Sequence, residues 1–183
     1  MENNSTDISH LVALCREQDR QAQFELYNRY YKAMYNTALR IVKDVHWAED
    51  IMQESFLKAF TKLDSFKGEV TFGAWLKKIV VNHSIDTYKK TNQNACGSLE
   101  EMLYKIEDEP TDGQGVDFTD IKVRQIVDCM KTLKDNYRIA LTLLYIEGYD
   151  QDEISGIMAI SPGNCRTLIS RAKESLRHKI QIA

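Results

Sequence analysis

A chain of 183 residues holds one large domain or two small ones, and 43% hydrophobic with 28% charged residues is ordinary for a globular protein. Eight Gly and two Pro argue against a β-sandwich, a low-complexity chain and long structured loops, and no apolar run approaches the roughly 20 residues that span a bilayer. The polar, acidic start at residues 1–7 carries no secretory signal and predicts a cytoplasmic chain. Cys15, Cys96, Cys129 and Cys165 stand singly, which excludes a sequence-local zinc site and predicts free, partly buried thiols.

The net charge of −3 hides a pattern. Residues 1–90 carry 13 basic against 12 acidic side chains, 91–119 carry one against seven, and 120–183 carry ten against eight. Positive charge is concentrated near the end of each half, and local charge rather than the total governs attraction to phosphate.

Hydrophobic periodicity predicts helices at 8–18, 20–43, 46–63, 71–90, 120–132, 134–147, 150–157 and 162–180. Asp19 and Thr71 are suited to cap the second and fourth of these. Gly148 suits a helix stop, Asp150 with Glu153 a capping box, and Ser161-Pro162 an N-cap followed by proline at the first helical position. The stretch 91–119, rich in Asn, Gly and acids, reads as a linker with at most one helical turn at 98–106. The expected fold is all-α: two small helical domains, 1–90 and 120–183, joined by a flexible linker.

Helix 46–63 directs Ala48, Ile51, Met52, Ser55, Phe56, Ala59 and Leu63 inward. Asp50, Gln53 and Glu54 lie opposite, with Leu57 among them. A leucine centred on an acidic face fits a docking surface for a basic partner, and it also fits a solvated face in which Glu54 pairs with Lys58. Helix 71–90 is expected to bury Phe72, Trp75, Leu76, Ile79 and His83, leaving Lys77, Lys78, Val81, Asn82, Ser84, Ile85, Tyr88 and Lys89 outside. Cations interleaved with amides and an aromatic suit single-stranded or distorted nucleic acid. The preceding loop presents Phe66 as an exposed aromatic.

Helices 150–157 and 162–180, joined by a tight turn, have the layout of a helix-turn-helix. Cys165, Leu168, Ile169, Ala172, Leu176 and Ile180 form an apolar stripe, while Arg166, Thr167, Ser170, Glu174 and Arg177 point away, flanked by Asn164 and Arg171. Arginine can bond guanine through two donors and asparagine can bond adenine, so this face suits a major groove. A solvated cationic face of an ordinary bundle helix is the plainer alternative.

The runs AEDIMQESFLKAFTKLDSFKGEVTFGAWLKKIVVNHSIDTYKK (48–90) and YDQDEISGIMAISPGNCRTLISRAKESL (149–176) together resemble an extracytoplasmic-function (group IV) RNA polymerase sigma factor. The resemblance implies that Asp50, Gln53, Glu54 and Leu57 dock on the clamp coiled coil of the polymerase β′ subunit. It implies that Phe66, Lys67 and Asn82 serve capture of an unpaired −10 promoter base, with Lys77, Lys78, Lys89 and Lys90 on backbone phosphate. Ser161, Gly163, Asn164, Arg166, Thr167, Ser170, Arg171 and Lys173 would read the −35 element. The implied partners are core polymerase, including its β flap, promoter DNA, and an anti-sigma factor that is often membrane-anchored. No cofactor, metal, small-molecule substrate or catalysis by the chain itself is implied. Cys165 stands where Val is usual and Leu168 where Arg is usual, which preserves packing on the apolar stripe but removes one DNA contact the resemblance implies, while Lys173, where Arg is common, keeps the charge without the planar fork.

The linker fits this geometry. Two elements one and a half helical turns apart are separated by ~50 Å. A 29-residue coil averages only ~30 Å, with a contour of ~100 Å. A third body must hold the tether open, and an acidic tether suits a basic channel. Two other functions compete: a dimeric helix-turn-helix regulator, which has no use for the 46–63 face, and a helical metal hydrolase. The second needs clustered His and carboxylates, whereas His10, His46, His83 and His178 stand apart.

Overall fold

The computed structural model describes residues 3–95 and 121–182, and every regular element among them is helical. The linker turn expected at 98–106 and Cys96 lie outside the described residues. The chain divides into two compact units, Met1–Tyr88 and Lys89–Ala183.

The first unit comprises α1 (Asn3–Arg16), α2 (Arg20–Val42), α3 (Val45–Thr61), a 3₁₀ turn (Leu63–Ser65) and α4, which starts at Phe72 and runs on to Ala95. Asp19 caps α2 by accepting from the Ala22 amide at 2.9 Å, and Thr71 caps α4 by accepting from the Ala74 amide at 3.2 Å. A cap not anticipated from the sequence, Asp44, accepts from the Trp47 amide at 2.8 Å and starts α3 one residue early. The Asp19 cap, with Glu17 through Asp19 closing off α1, ends that helix at Arg16 instead of residue 18.

On α2, Ala22, Leu26, Met34, Ala38 and Ile41 recur on one face, and they are buried. Opposite them α3 buries Ala48, Ile51, Met52, Ser55, Phe56 and Ala59. Ala38, Ala48 and Ala59 are fully enclosed, and their small side chains let backbones approach closely. The core closes on Leu11, Val12 and Cys15 of α1 and on Phe72, Leu76 and Val80 of α4. Each fully buried Leu, Ile or Phe contributes about 2 kcal/mol of transfer free energy.

Helix α4 corrects the expected wheel. Val81, Ser84 and Ile85, placed outside, are buried together with Val80, whereas Trp75, Ile79 and His83 are half-buried. Burial around more than half its circumference means that a one-sided stripe cannot describe it. The Ser84 hydroxyl is satisfied within the helix, donating to the Val80 carbonyl at 2.8 Å.

The second unit comprises α5 (Ile121–Lys131), α6 (Asp135–Leu141) with a π turn (Thr142–Ile146), α7 (Gln151–Met158) and α8 (Pro162–Ile182). The single helix expected over 134–147 therefore loosens into a π turn after Leu141. Gly148 follows at φ +81°, where a residue without Cβ is favoured. The Asp150–Glu153 capping box is formed in both directions, at 2.8 and 3.0 Å. Ser161 accepts from the Asn164 amide at 3.2 Å and Pro162 opens α8. Ile139, Leu141, Leu143, Ile154, Cys165, Ile169 and Ala172 are enclosed. Ile180, expected on the buried stripe, is 41% exposed, although the neighbouring Lys179 still reaches Thr132 at the end of α5.

Between α7 and α8 the turn residue Ala159 adopts φ 55°, a left-handed conformation that costs a Cβ-bearing residue roughly 1–2 kcal/mol. Ala159→Gly is expected to raise unfolding free energy by about 0.5–1 kcal/mol after the entropy glycine adds to the unfolded chain. Urea denaturation of the two proteins measures this; an unchanged or lower midpoint contradicts it.

Candidate nucleic-acid and partner surfaces

In the first unit, Asp50, Gln53, Glu54 and Leu57 are all exposed on α3, opposite its buried stripe, with Leu57 at 66% exposure. Glu54 is not simply solvated. Its Oε2 lies 3.2 Å from His83 Nε2 on α4 and 3.9 Å from Lys58 Nζ. The other ring nitrogen of His83 is 3.4 Å from the buried Ser55 hydroxyl. His83 thus joins α3 to α4 at the edge of the acidic face, a role that helical spacing alone did not reveal.

The loop between the 3₁₀ turn and α4 is anchored at both ends. At its entry the Phe66 ring packs against Phe72 (5.8 Å, edge-on) and Trp75 (5.3 Å). Phe66 is consequently half-buried, which corrects its expected exposure and leaves it a hydrophobic plug of the loop. Lys67, Gly68, Glu69, Val70 and Thr71 are exposed, and Gly68 turns the chain at φ +77°. On α4, Lys78, Asn82 and Lys90 are exposed, and Lys77 and Lys89 are half-buried. Arg16 of α1, which sequence spacing could not connect to this loop, donates to the Phe66 carbonyl at 2.7 Å.

In the second unit, Ser161, Gly163, Asn164, Arg166, Thr167, Ser170 and Arg171 are all exposed along α8 and its cap. Arg166 and Ser170 lie one turn apart on the same face. The Thr167 hydroxyl donates to the Gly163 carbonyl at 3.0 Å, which leaves its oxygen as an acceptor. Lys173 differs from the others: it is half-buried, with its ammonium 5.6 Å from the Tyr145 ring centroid, a cation–π contact on the π turn. Cys165 fits its unusual position, donating from Sγ to the Gln151 carbonyl at 3.3 Å, and Leu168 is half-buried at the edge of the stripe. Burial pushes the Cys15 thiol up to about 11 and raises the Cys165 thiol as well, so both are poor nucleophiles. Among the described residues no cluster of three His, Cys, Asp or Glu could hold a metal, and no helix is long and apolar enough to cross a membrane.

Two family models match, Sigma-70 region 2 over residues 26–94 and Sigma-70 region 4 over residues 123–176. The ECF RNA polymerase sigma-E factor of Escherichia coli is 30% identical over 148 residues, covering 72% of this chain and 73% of that protein. This chain belongs to the ECF sigma factors. SigW of Bacillus subtilis, an ECF RNA polymerase sigma factor, is 29% identical over 181 residues, covering 95% of this chain and 97% of its own. The fold is shared with the sigma factor RpoE solved with the anti-sigma factor NepR from Bartonella quintana (TM-score 0.59, 19% identity, 86% of this chain and 96% of that one). It is shared also with CnrH solved with the cytosolic domain of CnrY (TM-score 0.54, 20% identity, 94% and 96%). As a sigma factor the chain is a transcription initiation factor that directs RNA polymerase to promoters. Its family comprises transcription factors rather than enzymes.

Proposed function

We propose that residues 1–90 carry polymerase docking and −10 recognition, that 91–119 is the acidic tether, and that 120–183 reads the −35 element. In this reading Asp50, Gln53, Glu54 and Leu57 meet the β′ clamp coiled coil. The loop at 66–71 with Asn82 holds a flipped −10 base, which must leave the duplex stack to be read. Lys67 belongs to that base-capturing loop, and Lys77, Lys78, Lys89 and Lys90 neutralise nearby phosphates. Ser161, Gly163, Asn164, Arg166, Thr167, Ser170 and Arg171 enter the major groove. The exposed acidic face on α3 carries the reading, because a helix-turn-helix regulator acting alone has no use for a leucine ringed by Asp50, Gln53 and Glu54.

The lysine at 173 is drawn against Tyr145, so its contribution to −35 binding is smaller than that of Arg166 or Arg171. The β flap of core polymerase is the second docking partner, and an anti-sigma factor, soluble or tethered to a membrane, covers the polymerase-facing surfaces in the resting cell. The chain works in the cytoplasm and leaves nucleotide chemistry to the polymerase core.

Run-off transcription on genomic fragments with purified core tests the function as a whole. Addition of the protein is expected to produce transcripts from a new, restricted set of start sites. Identical transcripts with and without it would refute the reading. A mobility shift separates the competing regulator: specific binding by the free protein, unaffected by core, favours that alternative.

A further inference from the structure

The loop at 66–71 and its surroundings present an unequal arrangement. Residues 67–71 are all exposed, so burial of their side chains does not set their conformation. Their geometry depends on the two anchored ends. The exit is fixed by the Thr71 cap and by Phe72, which is enclosed in the core. The entry is fixed by the Phe66 ring against Phe72 and Trp75 and by the guanidinium of Arg16 on the Phe66 carbonyl. Arg16 stands on the last turn of α1, and that turn is itself rigidly placed. Leu11, Val12 and Cys15 are buried in the same core as Leu63 and Phe72, and α1 lies directly against the 3₁₀ turn. Helix α1 precedes the matched region 26–94, so nothing in that match gives it a role.

We propose that Arg16 is a positioning residue for promoter opening: through the Phe66 carbonyl, α1 braces the loop that receives the unpaired base. The inference rests on the assignment of that loop to the −10 element. The physical ground is preorganisation. A loop held at both ends loses little freedom when a base enters, whereas a loop released at one end must be ordered by the ligand, which weakens binding. A hydrogen bond from an exposed cation to a carbonyl is worth of order 1 kcal/mol, so release corresponds to a roughly three- to tenfold loss of affinity. Arg16 is exposed and its side chain fills no part of the core, so its removal leaves the unit folded.

The test uses the full chain assembled with core polymerase and a fluorescein-labelled single-stranded oligonucleotide carrying the non-template −10 sequence of a promoter found by run-off transcription. Binding is measured for the intact oligonucleotide and for variants with an abasic site at each position in turn. For the wild-type protein one abasic position is expected to weaken binding. Arg16→Ala is expected to weaken the intact oligonucleotide roughly three- to tenfold, to leave core affinity unchanged, and to have no effect once that one base is removed. Arg16→Lys, which keeps the charge but has a shorter reach and no planar fork, is expected to restore only part of the loss. If no abasic position matters for the wild type, the assignment of the loop itself fails. If one does, but Arg16→Ala is neutral or its penalty persists without the base, the brace is refuted. Full rescue by lysine, with a shallower salt dependence for Arg16→Ala, would instead make Arg16 a phosphate contact and overturn the proposal.

Discussion

Asp50→Arg is expected to lower affinity for core polymerase at least about 100-fold while leaving the fold intact. The fold survives because Asp50 is exposed on α3, opposite Ile51, Met52 and Phe56, and lies beyond the first turn, where the helix macrodipole acts most strongly. The affinity falls because a carboxylate facing a basic helix becomes a cation facing it. Losing one member of an interfacial charge pair costs about 2–5 kcal/mol, and the reversal adds repulsion to that loss. Asp50 is a cleaner probe than Glu54, whose carboxylate also contacts His83 and Lys58, so that reversing it would disturb the junction of α3 with α4 as well. Fluorescence anisotropy of labelled protein titrated with core gives the affinity, and a thermal melt followed by circular dichroism shows whether the helices persist. Unchanged core binding by a folded variant would remove the docking assignment, and Leu57→Ala would then be expected to be silent too.

Local chemistry carried much of the fold into the sequence. Asp19, Thr71, Asp150 with Glu153, and Ser161-Pro162 mark helix starts because a cap acts within three residues, and each is formed. The helices with one wet face were legible for the same reason. On α3 and α8 the exposed sets were correct, since a single apolar stripe determines which side faces water. Helix α4 was not legible in this way. Val80, Val81, Ser84 and Ile85 are enclosed along with Phe72 and Leu76, and a wheel with one buried side has no place for them.

What remained hidden was long-range. The bond from Arg16 to Phe66 crosses fifty residues, and the approach of His83 to Ser55 crosses twenty-eight, with no periodic signal connecting either pair. Phe66 looked exposed because a loop aromatic carries no pattern to announce that its ring returns to Phe72 and Trp75. The π turn after Leu141 likewise leaves no mark in composition, yet it places Tyr145 beneath Lys173 and so draws one cation away from the candidate nucleic-acid face. The candidate surfaces were therefore readable as lists of residues, whereas the contacts that hold their loops and side chains in place required the packed chain.

Arg166→Ala is expected to weaken promoter binding by about 1–3 kcal/mol and to relax discrimination at one base pair of the −35 element, with core affinity unchanged. Arg166 stands in the second turn of α8, exposed, and directed away from Cys165, Ile169 and Ala172, which fasten that helix to its unit. Ser161 caps the helix, so the backbone near Arg166 is held independently of the arginine side chain, and truncation removes a contact rather than an element. Lys173→Ala provides the contrast. Because its ammonium sits over the Tyr145 ring, losing it is expected to change promoter binding by less than a typical base contact, roughly 1 kcal/mol. The measurement is competition by duplexes carrying each single substitution across the −35 element, performed with the assembled holoenzyme at two salt concentrations. A base contact predicts that wild type and Arg166→Ala differ at one position and agree elsewhere. A loss spread evenly over all sequences, accompanied by a salt slope smaller by about one, would instead assign Arg166 to a phosphate. That outcome would leave Asn164, Ser170 and Arg171 to carry the sequence preference.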